Sequence, residues 1–147
     1  MTDNFDRAFA MLCQFEGYIS DLKGDPGGYT IWGITERWYP DDVKKMASMS
    51  PAESKEYAKG FYKRNFWDVL GCDSLPLPLD IIAFDTSVNC GIKTAKKLLN
   101  ETRDWKDYLY KRLFYYTLLV KEKPQMKDFL RGWLNRCLSL WTAFKGV

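Results

Sequence analysis

Apolar residues recur every three or four positions from Phe5 through Ala8, Phe9 and Leu12, the period of one helix face. The spacing predicts a helix capped by Asn4 and ending near Gly17. Glu16 continues the same period, four positions after Leu12. A carboxylate therefore emerges at the C-terminal edge of the apolar stripe and not on the solvated side. From Tyr18 to Thr35 the helical period is lost, and Gly24, Asp25-Pro26-Gly27-Gly28 and Gly33 stand among aromatic and β-branched residues. This pattern predicts an irregular loop followed by a short hairpin. Helical character returns between Thr35 and Met49, interrupted by Pro40. Ser50-Pro51-Ala52-Glu53 then carries a capping box with proline at the first helical position, for a helix reaching Phe66 or Trp67.

The stretch from Gly71 to Pro78, with Pro76 and Pro78, is the best internal boundary and predicts an N-terminal lobe over 1–75 and a helical C-terminal lobe over 76–147, packed as one unit. After it, Leu79 to Asn89 reads as a buried helix stopped by Gly91, Ile92 to Asn100 as a short basic helix, and Asp104 as the cap of a helix running to Lys123 before Pro124. The last helix aligns Met126, Phe129, Leu130, Trp133, Cys137, Leu140, Trp141 and Phe144 on one face, which needs a partner. Trp133 and Trp141 are expected in the core. The fold expected is mainly α with one small β element.

Composition narrows the chemistry. At 147 residues, 46% hydrophobic and 28% charged, with a mean hydropathy of -0.37, the chain falls in the soluble globular class. It contains no histidine, which excludes Ser-His-Asp and Cys-His nucleophilic catalysis and any zinc site that needs imidazole. Cys13, Cys72, Cys90 and Cys137 form no C-x-x-C pair and read as reduced, mostly buried thiols. Asp3 and Asp6 stand where a secretory signal carries basic residues, and the apolar run Leu113 to Val120 is far short of the ~20 residues of a membrane span. The expectation is synthesis in the cytoplasm without a signal peptide and no membrane insertion.

Net charge is +3, but it is unevenly placed: residues 1–92 carry 9 Lys and Arg against 14 Asp and Glu, whereas 93–147 carry 13 against 5. Such a basic tail suits an anionic surface, or serves only to solvate a pair of helices.

Eight residues separate Glu16 from Asp25, and four separate Asp25 from Thr30. A helix-end Glu and a loop Asp at this spacing can face one another, as glycoside hydrolysis requires: one carboxylic acid protonates the leaving oxygen, and one carboxylate activates water or stabilises an oxocarbenium-like transition state. Glu16, on an apolar face at the negative end of a helix dipole, is placed to carry a proton, and Thr30 to orient water. Taken singly, each has a plainer reading, a surface Glu in a last helical turn and an Asp making an Asx turn before Pro-Gly.

Glu16-Gly17-Tyr18 followed by Asp25-Pro26-Gly27-Gly28-Tyr29-Thr30-Ile31-Trp32-Gly33-Ile34-Thr35 resembles the E-G-G-Y…D-P-G-G-x-T-x-x-G-I-T signature of glycoside hydrolase family 108, the N-acetylmuramidase-type phage endolysins. The D-P-G-G-x-T-x-x-G-I-T run matches at every fixed position. Tyr62 to Asp68 and Phe84 to Gly91 look like the family's Y-W-D and F-D-x-x-V-N-x-G segments, and Phe129 to Arg136 is similar to the G-W-x-x-R stretch of a peptidoglycan-binding half. The resemblance implies an α+β lysozyme-like fold with Glu16 as catalytic acid, no cofactor and no metal. The Glu-x8-Asp spacing also looks like that of bacteriophage-type lysozymes, whose Glu, Asp and Thr form the site; Thr30 arrives one residue earlier here. Only one Gly follows Glu16 where the family usually has two, so the loop leading to Asp25 takes a different path.

Tyr18, Tyr29 and Trp32 beside these carboxylates are candidate saccharide platforms, and Asn89 a candidate partner for an N-acetyl group or a helix cap. The resemblance implies a monomeric peptidoglycan hydrolase cleaving the β-1,4 bond between N-acetylmuramic acid and N-acetylglucosamine, made in the host cytoplasm and reaching the wall through a holin. Its alternatives are a lysozyme-like wall-binding or secretion-associated protein without catalysis and, less favoured, a nucleic-acid-binding protein using the basic tail.

Overall fold

The computed structural model describes residues 3–21 and 28–147. The chain divides into two compact units, Met1–Val69 and Leu70–Val147. Helices dominate both, and a small antiparallel sheet in the first completes a mainly α, α+β architecture.

The first unit opens with α1 (Asn4–Glu16), whose buried residues Phe5, Ala8, Phe9 and Leu12 are those picked out by the 3.6-residue period. Its cap lies one residue earlier than expected: Oδ1 of Asp3, not Asn4, accepts from the Phe5 N–H at 3.4 Å, adding a negative charge to the positive helix end. Gly17 stops the helix at a φ of +70°, and its N–H returns to the Cys13 carbonyl.

Three two-residue strands follow, β1 (Ile19–Ser20), β2 (Thr30–Ile31) and β3 (Ile34–Thr35), paired in chain order. The hairpin expected from the Gly-rich pattern is β2–β3, and β1 joins it as a third strand. Register sorts the faces. Ile19, Ile31 and Ile34 share one side, Ser20, Thr30 and Thr35 the other. Ile31 and Ile34 are buried.

Helix α2 (Pro40–Ala47) begins at the proline that interrupted the sequence pattern, because a first-turn proline lacks only an N–H that would have no helical partner. Helix α3 (Pro51–Tyr62) carries the full capping box: Ser50 Oγ accepts from the Glu53 N–H at 3.2 Å, and Glu53 Oε2 from the Ser50 N–H at 2.9 Å. It continues as a π-helical turn over Lys63–Trp67 and a last turn, α4 (Asp68–Leu70). The wider turn places Trp67 in the core, edge-to-face with Phe5 at 5.3 Å between ring centroids.

In the second unit a 3-10 turn (Cys72–Ser74) precedes α5 (Leu79–Cys90), α6 (Ile92–Glu101), α7 (Trp105–Glu122), a 3-10 turn (Pro124–Met126) and α8 (Lys127–Phe144). Asp104 caps α7, accepting from the N–H groups of Lys106 and Asp107. Helix α5 is buried from Asp80 through Ser87. Two of its buried hydroxyls are satisfied within the helix: those of Thr86 and Ser87 donate to the Ile82 and Phe84 carbonyls. Asp85 is buried between two arginines, with Arg112 Nη1 of α7 at 2.8 Å and Arg136 Nη2 of α8 at 2.9 Å. On α8, Cys137, Leu140 and Phe144 are buried, while Phe129 and Trp141 remain about two-fifths exposed. Trp133 stacks on Tyr116 at 4.9 Å, whereas Trp141 tilts against Trp105 at 5.3 Å near the surface. The expected core position thus describes Trp133 better than Trp141. All four cysteines are free thiols, Cys72 and Cys137 buried and the other two half-buried. Among the described residues, no helix is long and apolar enough to cross a membrane.

Candidate active site

Glu16 is the last residue of α1 and is half-buried. The turn between β2 and β3, Trp32-Gly33, is pressed against it. Both turn residues have positive φ, 52° at Trp32 and 81° at Gly33, the hand that a two-residue hairpin turn needs. At Gly33 the close approach also forbids a side chain: a Cβ there would lie 2.7 Å from Cγ of Glu16, 3.0 Å from its Cβ and 2.8 Å from the Tyr62 hydroxyl. The glycine lets the hairpin tip abut the carboxylate-bearing side chain.

Positive φ is costly for tryptophan, and three hydrogen bonds, one to the segment after α1 and two to α3, hold it there. The Trp32 N–H donates to the Tyr18 carbonyl at 2.6 Å. Its own carbonyl accepts from the Tyr62 hydroxyl at 2.8 Å, and its indole Nε1 donates to Ser54 Oγ at 3.0 Å. Ser54 in turn donates to the Pro51 carbonyl, so its oxygen is left to accept. The Tyr18 ring lies 4.9 Å from that of Trp32, and Lys55 Nζ sits 5.3 Å from the indole. Lys55 and Glu16 both act on Cys13: burial pushes its thiol up, Lys55 opposes that shift and Glu16 adds to it. Glu16, Tyr18, Trp32, Lys55 and Cys13 thus form one neighbourhood at the end of α1.

Thr30 lies on β2, nearly buried, opposite Thr35 on one side and Ser20 on the other, in a row of three hydroxyl residues across the sheet. The Thr35 hydroxyl is buried without a hydrogen-bond partner. Tyr29 is half-buried, and its carbonyl accepts from the Glu36 N–H at 2.9 Å. Asp25 lies outside the described residues. Asn89 belongs to the second unit, near the end of α5, where its side-chain oxygen accepts from Tyr116. Among the described residues, no group of three or more Cys, Asp or Glu side chains gathers as a metal would require.

Sequence reading did not anticipate Ser54, Tyr62 or Lys55 as supports of this site. Tyr62 carried a signal only through the Tyr62 to Asp68 segment; Ser54 and Lys55 carried none, since the helical period alone does not say which loop will cross α3.

A protein-family model, Glycosyl hydrolase 108, matches residues 9–91, more than half of the chain, from the middle of α1 to the glycine after α5. The chain belongs to the glycosyl hydrolase 108 family. It is therefore a glycoside hydrolase, and the matched span contains Glu16, Thr30, the Trp32-Gly33 turn, Ser54, Tyr62 and Asn89. No curated protein and no solved structure matches the chain.

Proposed function

We propose that this glycoside hydrolase is a muramidase that cleaves the β-1,4 bond between N-acetylmuramic acid and N-acetylglucosamine in peptidoglycan. Glu16 is the general acid, Asp25 the carboxylate that activates water or stabilises the developing cation, and Thr30 the hydroxyl that orients water. The observation that carries the reading is the Gly33 turn packed against Glu16, which positions a half-buried carboxylic side chain within a family whose chemistry is glycosidic hydrolysis. General acid catalysis needs such a group held in place, because the proton must meet the leaving oxygen in the transition state. Tyr18, Tyr29 and Trp32 present aromatic surface for sugar rings on this reading, and Asn89 contacts an N-acetyl group. No cofactor or metal takes part.

The helical C-terminal lobe over 76–147 is the wall-binding half on this reading, and its basic excess favours the anionic polymer. As a phage endolysin, the protein would be made in the host cytoplasm, act as a monomer and reach the wall through a holin.

Glu16→Gln tests the reading most simply. The amide keeps the volume but has no proton of suitable acidity, so turbidity loss of purified walls should fall by about 10²–10⁴-fold with the melting temperature unchanged. Lysis within a few-fold of wild type removes Glu16 from the acid role. No lysis by wild type, with retained wall binding, favours a non-catalytic wall-binding protein instead.

A further inference from the structure

Two neighbouring helices of the second unit share one exposed apolar face. On α7, Tyr110, Phe114 and Leu118 recur every four residues and form a ridge, with Tyr110 67% and Phe114 56% exposed. On α8, Leu134, Leu138 and Trp141 form a second ridge at helical spacing, with Leu138 61% exposed. A groove of about 430 Å³ runs between the ridges over Leu109, Leu113 and Cys137. Another, of about 500 Å³, lies on the α6 side of the α7 ridge against Leu98, and Tyr110 borders both. An exposed leucine here or there is ordinary, but six large side chains in two adjacent ridges mark a surface made to be covered.

The border of this face is basic. Lys97 and Lys111 line the α6-side groove together with Glu101. Lys106 lines the other, its Nζ 5.5 Å from the Trp105 ring and 5.8 Å from that of Trp141. Asp107 lies 3.9 Å from both Arg103 and Lys111, so its charge is already answered. Of the thirteen Lys and Arg over 93–147, Arg112 and Arg136 are buried on Asp85, and the remaining eleven stand against five Asp and Glu.

A lysine stem can lie along apolar surface while its ammonium stays in water, and Tyr and Trp rings suit a boundary between apolar and wet layers. An apolar centre, amphipathic aromatics and a cationic border together match the interface of an anionic bilayer. The wall polymer answers the charge, but its glycan is polar and offers nothing to cover Leu118, Leu134 and Leu138. A second copy would cover the leucines but set one basic border against another.

We propose that the α7–α8 face is a peripheral docking surface for anionic phospholipid, with Tyr110, Phe114, Leu138 and Trp141 reaching below the headgroups and Lys97, Lys106 and Lys111 meeting their phosphates. Among the described residues no helix is long and apolar enough to cross a bilayer, and the contact is one of side chains resting in its interface. It does not depend on which bond the protein cuts.

Flotation of the full chain with vesicles of phosphatidylcholine alone, and of phosphatidylcholine and phosphatidylglycerol in equal parts, tests the proposal. Wild type should partition about tenfold better into the mixed vesicles. Phe114→Ser combined with Leu138→Ser should lower that partitioning at least about tenfold, with circular dichroism unchanged because both side chains are exposed. Lys97→Gln combined with Lys106→Gln should erase most of the preference for the anionic lipid. Lipids brominated on their acyl chains should quench tryptophan fluorescence in wild type and less in Trp141→Phe. Equal partitioning into both vesicles, binding that survives the two serine changes, or fluorescence blind to brominated chains overturns the proposal. Dimers that Phe114→Ser disperses, without vesicle binding, assign the face to a second copy and overturn it as well.

Discussion

A methyl group added at Gly33 would stand 2.7 Å from Cγ of Glu16 and 2.8 Å from the Tyr62 hydroxyl, and φ of +81° would strain any side chain there. Gly33→Ala must therefore move the proposed acid, break the Tyr62 bond to the Trp32 carbonyl, or both. We expect wall lysis to fall at least tenfold in kcat, with about 1–3 kcal/mol of stability lost to backbone strain. Tyr62→Phe, which removes only the hydroxyl, should cost about 1 kcal/mol and little activity. Urea midpoints and initial lysis rates check both, and an active Gly33→Ala would show that the hairpin tip does not position Glu16. Glu16 itself was legible because it prolonged the apolar period of α1. Gly33 was visible as a turn residue and motif position, but its reason was not: the constraint comes from a helix end seventeen residues earlier, which local pattern does not encode.

Helices α5, α7 and α8 meet at an ion cluster that the apolar periods did not reveal. Asp85 and Arg136 stand in segments that resemble the family's, but nothing in the sequence pattern paired them or marked Arg112 as buried; Asp85 draws both arginines inward. Burial alone would push the Asp85 carboxyl up, but the charges and hydrogen bonds of Arg136 and Arg112 outweigh it and hold the carboxyl below its usual value. A carboxyl lowered on folding stabilises the native state above its unfolded value of about 3.9, and that contribution is lost as pH falls through the folded value. Acidification below about pH 4 should therefore weaken the protein, visible as a falling urea midpoint. Asp85→Asn should remove this part of the acid dependence, and at pH 7 should cost about 3–5 kcal/mol because two buried cations lose their counter-charge. An unchanged midpoint in the variant would show the cluster to be energetically idle. The helices themselves were legible, since Ser50, Asp104, Gly91 and the prolines mark ends by local chemistry. The third strand was not, because two residues carry too little alternation to register.

At the scale of the molecule, charge follows the division into units: Leu70–Val147 holds thirteen Lys and Arg against eight Asp and Glu, and Met1–Val69 nine against eleven. Lys93, Lys96 and Lys97 are exposed on α6, beyond the family match. If this surface draws the protein to an anionic wall, binding should weaken as salt rises towards ~0.5 M, where the Debye length is about 4 Å. Replacing the three lysines with Gln should flatten that dependence without changing the bond cut in soluble oligomers. Affinity indifferent to salt and to the triple change would make the asymmetry a matter of solubility. The central claim concerns which bond is broken, and mass spectrometry of borohydride-reduced muropeptides, released from purified peptidoglycan, reads it directly. The account predicts that every new reducing end is N-acetylmuramic acid, and that none forms with Glu16→Gln. New ends at N-acetylglucosamine, or released peptides with intact glycan strands, would contradict it.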